Sequence, residues 1–312
     1  MMVSNGLWTA GMICLLFTGH ASAGEGSQEG EDLETELEIE HGHAPVGATG
    51  GSSWLEPWPH DHFSARGTPY VHLFGIEPAF LGRGVFLDYR SAQGATVDEQ
   101  ELGVELEWAF TRRLGVVVEA PYVRVDAAGV SSESGVGDVA ISPRALLVDS
   151  DAFLLSGNLE FSFPTGDEGA GLGAGEVGLA PSFSAWFDLG HWVQVSAQLG
   201  TEFGMESGDS EAFYGGALVY SFLTRGDQGD TGHGHRHLGR HLPAGMVSAI
   251  LEVTGATVLE GEEDEGRATT EALFGLSYLA TSTLELRVAY QFPVGGDQEF
   301  DRAFILSLVR HL

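Results

Sequence analysis

The feature that most constrains this chain is a strict period-2 alternation sustained over unusually long runs. Leu102, Val104, Leu106, Trp108 and Phe110 alternate with Gly103, Glu105, Glu107 and Ala109. Leu284, Leu286, Val288, Tyr290 and Phe292 alternate with Glu285, Arg287, Ala289 and Gln291. Successive side chains of a strand point to opposite faces, so each run describes a strand with one apolar and one polar face. A soluble β-sandwich gives the same alternation in shorter strands and is the alternative. The runs here exceed the usual strand length of about 5–6 residues and match the roughly 9–11 residues of a tilted membrane-crossing strand.

Twelve such strands are expected, near 83–92, 98–111, 113–125, 135–149, 151–164, 174–188, 190–204, 210–224, 243–258, 266–280, 282–293 and 299–312. An open sheet of that size would leave unpaired edges, which closure removes. The expected fold is therefore all-β: a transmembrane antiparallel up-and-down β-barrel of about 12 strands, with a disordered N-terminal arm. Short turns at residues 111–114, 149–151, 188–191 and 281–283 alternate with longer Gly- and acid-rich loops. Barrels of this kind keep short turns in the periplasm. That rule predicts the outer membrane of a Gram-negative bacterium, with the N-terminus periplasmic.

Composition removes other classes. The net charge is -31, from 45 acidic residues against 14 basic ones, all Arg. A polyanion is repelled by such a chain, so no nucleic-acid partner is expected. One cysteine excludes a disulfide scaffold.

Three regions are expected. Residues 1–23 read as a signal peptide, with an apolar core from Leu7 to Phe17 before Ala21-Ser22-Ala23. Residues 24–68 read as an acidic, His-containing disordered tether, because like charges this dense do not pack. Residues 69–312 form the barrel, with 69–82 open between an extra strand, a plug and a strap.

The tether carries His41, His43, His60 and His62, and a second His-rich stretch at 225–242 carries His233, His235, His237 and His241. Strand parity puts both on the short-turn side. Imidazoles suit Zn and Cu, so these eight residues are the candidate divalent-metal ligands; solvated arms without a ligand are the bland alternative. Alternation points Glu105, Glu107, Glu119, Glu160, Glu202 and Glu285 inward, with Arg144 and Arg287 as the inward bases. This lining predicts either a cation-leaning conduit or a packed polar interior in which the two arginines bridge carboxylates. The run Gly171-Leu172-Gly173-Ala174-Gly175 is expected to be a flexible outer loop. No catalytic residue is expected: His191, His72 and His311 find no Ser or carboxylate partner by pattern, so the chain is not read as an enzyme.

The strand-turn signatures Phe110-Thr111-Arg112-Arg113-Leu114, Glu119-Ala120-Pro121-Tyr122, Gly135-Val136-Gly137-Asp138-Val139, Pro143-Arg144-Ala145-Leu146-Leu147, Phe163-Pro164-Thr165-Gly166-Asp167 and Tyr290-Gln291-Phe292-Pro293-Val294-Gly295 carry a resemblance. Over residues 70–312 the chain resembles the MetA-pathway of phenol degradation family of outer-membrane barrels. That resemblance implies an outer-membrane channel or transporter for small molecules, hydrophobic or aromatic compounds among them, with bilayer lipid and a small-molecule solute as partners. The competing expectation is a membrane-anchored metal-binding or scaffold protein that uses its His-rich segments.

Overall fold

The computed structural model describes residues 54–55, 62–129, 131–224, 242–261 and 265–312. The signal peptide, most of the tether with His41, His43 and His60, and the segment bearing His233, His235, His237 and His241 lie outside the described residues. Among the described residues no helix is long and apolar enough to cross a membrane; strands make the crossing.

The strands are β1 (Arg83–Gln93), β2 (Val97–Ala109), β3 (Leu114–Ala127), β4 (Glu133–Val136), β5 (Val139–Asp149), β6 (Phe153–Phe163) and β7 (Gly178–Gly190). They continue with β8 (Val193–Gly204), β9 (Ser210–Leu223), β10 (Met246–Glu260), β11 (Ala268–Leu279), β12 (Leu284–Gly296) and β13 (Arg302–His311). Each full-length strand pairs antiparallel with its neighbours, and β1 closes on β13 from Gly84↔His311 to Gln93↔Arg302. Both β4 and β5 pair with β3, so they are two pieces of one stave and the closed barrel has twelve.

The expected alternation is realised around the whole ring. Val85, Leu87 and Tyr89 on β1, Leu102, Val104 and Leu106 on β2, and Phe304, Leu306 and Leu308 on β13 all project outward and exposed. This apolar exterior belongs against lipid, where a closed barrel satisfies every backbone group. Their sequence neighbours turn inward: Ala303, Ile305 and Val309 of β13 are buried.

The interior is not empty. Residues 62–82 enter the barrel and fill its short-turn half. Val71, Leu73 and Ile76 pack with Val219, Met246, Ile250 and Leu279, while Ala79, Phe80 and Leu81 pack with Leu146, Leu154 and Trp186. The open question over 69–82 is thereby answered as a plug. The tether also ends earlier than expected: Ser64 and Thr68 are buried, and both hydroxyls donate to the Asp188 carboxylate at the end of β7. The buried acceptor offsets the loss of water around this polar stretch, which charge density alone could not reveal.

The outer loop at 164–177 also differs from expectation. It contains a single turn of 3-10 helix, Glu168–Ala170, and folds inward rather than hanging free. The Asp138 carboxylate, in the break between β4 and β5, accepts from the backbone N–H of Gly166 at 2.9 Å and of Ala174 at 2.6 Å. Leu172 is carried into a small cluster with Val123 and Val125. The Gly-rich run is thus a docked flap.

Candidate functional site: the lumen and its plug

An irregular segment at membrane depth must find partners for its backbone inside the protein. The wall provides them. Glu252 on β10, fully buried, accepts from the N–H groups of Phe74 at 2.7 Å and Gly75 at 2.9 Å. Gln194 on β8 donates to the Val71 carbonyl at 3.0 Å and accepts from the Trp186 indole at 2.9 Å. Gln198 accepts from the Glu77 N–H at 3.1 Å.

The two inward arginines serve the same purpose. Arg287 donates to the Leu73 carbonyl at 2.5 Å, and its guanidinium lies 4.2 Å from the centre of the Phe74 ring. Arg144 donates to the carbonyls of Pro78 and Phe80. It also bridges Glu77 of the plug at 2.8 Å and Glu107 of the wall at 3.1 Å, and reaches Asn158 at 3.1 Å. Breaking a buried pair of this kind typically costs about 3–5 kcal/mol.

Beyond the plug, toward the long loops, a chamber of about 260 Å³ remains. Its floor is His72–Pro78 of the plug. Its wall carries Asp88, Glu99, Glu101, Glu105, Glu119, Glu160 and Glu202, with Arg90, Arg144 and Arg287 as counter-charges and Phe86, Phe213 and Ile305 as apolar surface. One oxygen each from Glu77, Glu105 and Glu119 lie within 4.8 Å of one another. Like charges this close raise the local concentration of cations and repel anions.

The eight lining residues expected from alternation all face inward, but they divide by depth. Glu105, Glu119, Glu160 and Glu202 line the chamber. Glu107 and the two arginines touch both chamber and plug. Glu285 lies at the short-turn end, buried, where it accepts from Ser277 and meets His311 Nε2 at 2.8 Å. It lines no passage.

The histidines set aside on pattern also have carboxylate partners: His311 has Glu285, and His72 Nε2 lies 2.9 Å from Glu107 Oε2. Of the eight metal candidates only His62 lies among the described residues, where its ring is 5.7 Å from that of His311. A Ser-rich inner surface, with Ser156, Ser182, Ser184 and Ser196 all buried, adds to the expected lining residues. Their place opposite exposed Phe and Leu in the alternation was the available signal.

The family described as "Putative MetA-pathway of phenol degradation" matches residues 91–302. The chain belongs to this family. No curated protein matches the sequence. Among solved structures, this member of the phenol-degradation family is similar to the crystal structure of the COG4313 outer membrane channel from Pseudomonas putida F1. The two share 15% identity with a TM-score of 0.54, over 78% of this chain and 100% of that one. The NanC porin (12% identity, TM-score 0.47, 74% and 100% of the two chains) and the KdgM porin (11%, 0.43, 73% and 99%) are more distant. The first likeness supports the barrel fold.

Proposed function

We propose that this protein is an outer-membrane channel for small solutes, gated by its own plug, with the short-turn end in the periplasm. The observation that carries the proposal is the division of the lumen. A carboxylate-lined chamber stands toward the long loops, and a plug held by side-chain hydrogen bonds closes the other end. Each such bond contributes about 0.5–1.5 kcal/mol net, and together with the buried Arg144 pairs and two apolar clusters they keep the plug seated most of the time, so openings are brief and infrequent.

The chamber chemistry supports one solute class over others. Carboxylates with few counter-charges favour cations and reject anions. Phe74, Phe86 and Phe213 give apolar surface, in keeping with the aromatic compounds that family membership suggests. The solutes are therefore small, neutral or cationic molecules, aromatic ones included.

Efflux from vesicles tests this with size-matched cationic, neutral and anionic aromatic solutes. Passage of the first two with exclusion of the third supports it; equal passage of the anion overturns the selectivity. The plug also favours a second reading, a membrane-anchored metal binder that captures Zn or Cu at His41, His43, His60, His62, His233, His235, His237 and His241. No efflux of any of these solutes, with metal binding intact, would establish that one.

A further inference from the structure

The long-loop end of the chamber has a closure of its own. Strand β3 pairs with β4 as far as Tyr122↔Val136 and with β5 from Glu119↔Ala140, so the β4–β5 stave carries one extra residue between those pairs. A bulge of this kind re-aims side chains. Here Gly137 and Asp138 both line the chamber.

Asp138 lies across the neck of the flap. Its two oxygens take the N–H groups of Gly166 and Ala174, one on each side of the neck. The Thr165 hydroxyl donates to the Gly137 carbonyl at 2.7 Å and accepts from the Val139 N–H at 2.9 Å. Between these ties the backbone closes on itself. A Cβ on Gly166 would stand 2.8 Å from the Gly173 Cα, and one on Gly173 would stand 2.9 Å from the Gly166 Cα. Only glycine fits at either place, so residues 166–174 form one compact unit.

That unit reaches over the mouth. Leu172, 4% exposed, is buried with Val123 and Val125 of β3, and Val97 and Ala170 pack beside them. Leu172 and Ala174 also line the chamber, as does Ala140, which is two residues inside Asp138 and buried. The hold is concentrated on one carboxylate, one threonine and one leucine, while the turn Glu168–Ala170 at the tip buries no residue. Beyond Ala174, Glu176 ties the chain to Glu206 and Ser207 of the next long loop, a fixed point about which the unit can swing. Segments pinned at few points open well below the global unfolding free energy, and the N–H groups given up by Asp138 would then meet water.

We propose that residues 166–174 are an outer gate on the chamber, latched by Asp138, so that a solute passes two closures in turn, flap and plug. Lifting the flap opens the chamber to the long-loop side and bares Val123 and Val125. Calling the flap a gate rests on the channel reading, but its lifting is measurable without transport.

The test uses the full refolded chain with its one cysteine, Cys14, replaced by Ser. Ala140→Cys supplies a reporter inside the latch, and Ser131→Cys an exposed reference on the rim. Both are labelled with a charged methanethiosulfonate, and the rates are followed by mass. The reporter should react at least about 100-fold more slowly than the reference, because it reacts only when the flap is lifted. Asp138→Ala should speed the reporter at least about 10-fold and leave the reference unchanged. Asp138→Asn, which keeps one carbonyl acceptor, should fall between. Leu172→Ala should also speed it, and it alone decides if the Asp138 variants do not fold. A reporter as fast as the reference in the latched chain, or a rate indifferent to these substitutions, overturns the proposal. A chain that passes no solute yet labels as expected would overturn the channel reading and leave the latch standing.

Discussion

Glu107 on β2 grips the plug through His72, Oε2 to Nε2 at 2.9 Å, while its other oxygen accepts from the Gly82 N–H at 3.0 Å and from Arg144 at 3.1 Å. One wall carboxylate thus holds a plug side chain, the plug backbone and the arginine that spans the lumen. Glu107→Gln keeps the shape and removes the charge. It should destabilise the barrel by about 3–5 kcal/mol, the range for a broken buried pair, seen as a lower denaturant midpoint in lipid vesicles.

The plug also rests on a notch in the wall. A Cβ built at Gly275 of β11 would collide with the Phe74 ring. Gly275→Ala should therefore dislodge the ring and loosen the plug without touching a charge. Adding Phe74→Ala should restore part of the loss, with a coupling of about 0.5–3 kcal/mol between the two sites. Strictly additive losses would mean that the notch does not seat the plug.

Depth decides which carboxylates govern selectivity. Glu105 and Glu119 line the chamber, whereas Glu285 is shut away with His311. The double change Glu105→Gln and Glu119→Gln should lower the cation-to-anion permeability ratio several-fold. Glu285→Gln should leave that ratio unchanged. Reversal potentials under a salt gradient measure both.

At the long-loop rim, Glu176 ties two loops together. It accepts from the Ser207 hydroxyl at 2.6 Å, from the Ser207 N–H at 2.9 Å and from the Glu206 N–H. Partial burial pushes its carboxyl up, but these hydrogen bonds outweigh it and hold the carboxyl below the ordinary range. The ionised form is therefore the one the fold favours. Its contribution is full above the ordinary carboxylate value and is lost as pH falls through the lowered one. Hydrogen exchange at the Glu206 and Ser207 amides should be slow at neutral pH and quicken on acidification through that range; Glu176→Gln should exchange fast throughout.

The staves were legible because lipid and lumen are different solvents, and alternation such as Leu284 to Phe292 records both. The break at Gly137–Asp138 was not, because Asp138 turns to hold Gly166 and Ala174 of another loop. Alternation assigns a face, not a depth: it sends Glu105 and Glu107 to the same side and cannot tell that only the second meets the plug. The plug stretch Val71–Gly82 shows no period, since its partners come from β1, β2, β5, β6, β7, β8, β9, β10, β11 and β12 rather than from one surface. His72 with Glu107 and His311 with Glu285 are pairings of tertiary structure, separated by 35 and 26 positions.

The most direct test of a gated, cation-favouring channel is single-channel recording in planar bilayers, comparing the natural chain with Glu107→Gln. The natural chain should be closed most of the time, with brief cation-selective openings. The variant should open more often, with the same ion preference. Steady openings of the natural chain that Glu107→Gln leaves unchanged, or silence in both proteins, would contradict the account.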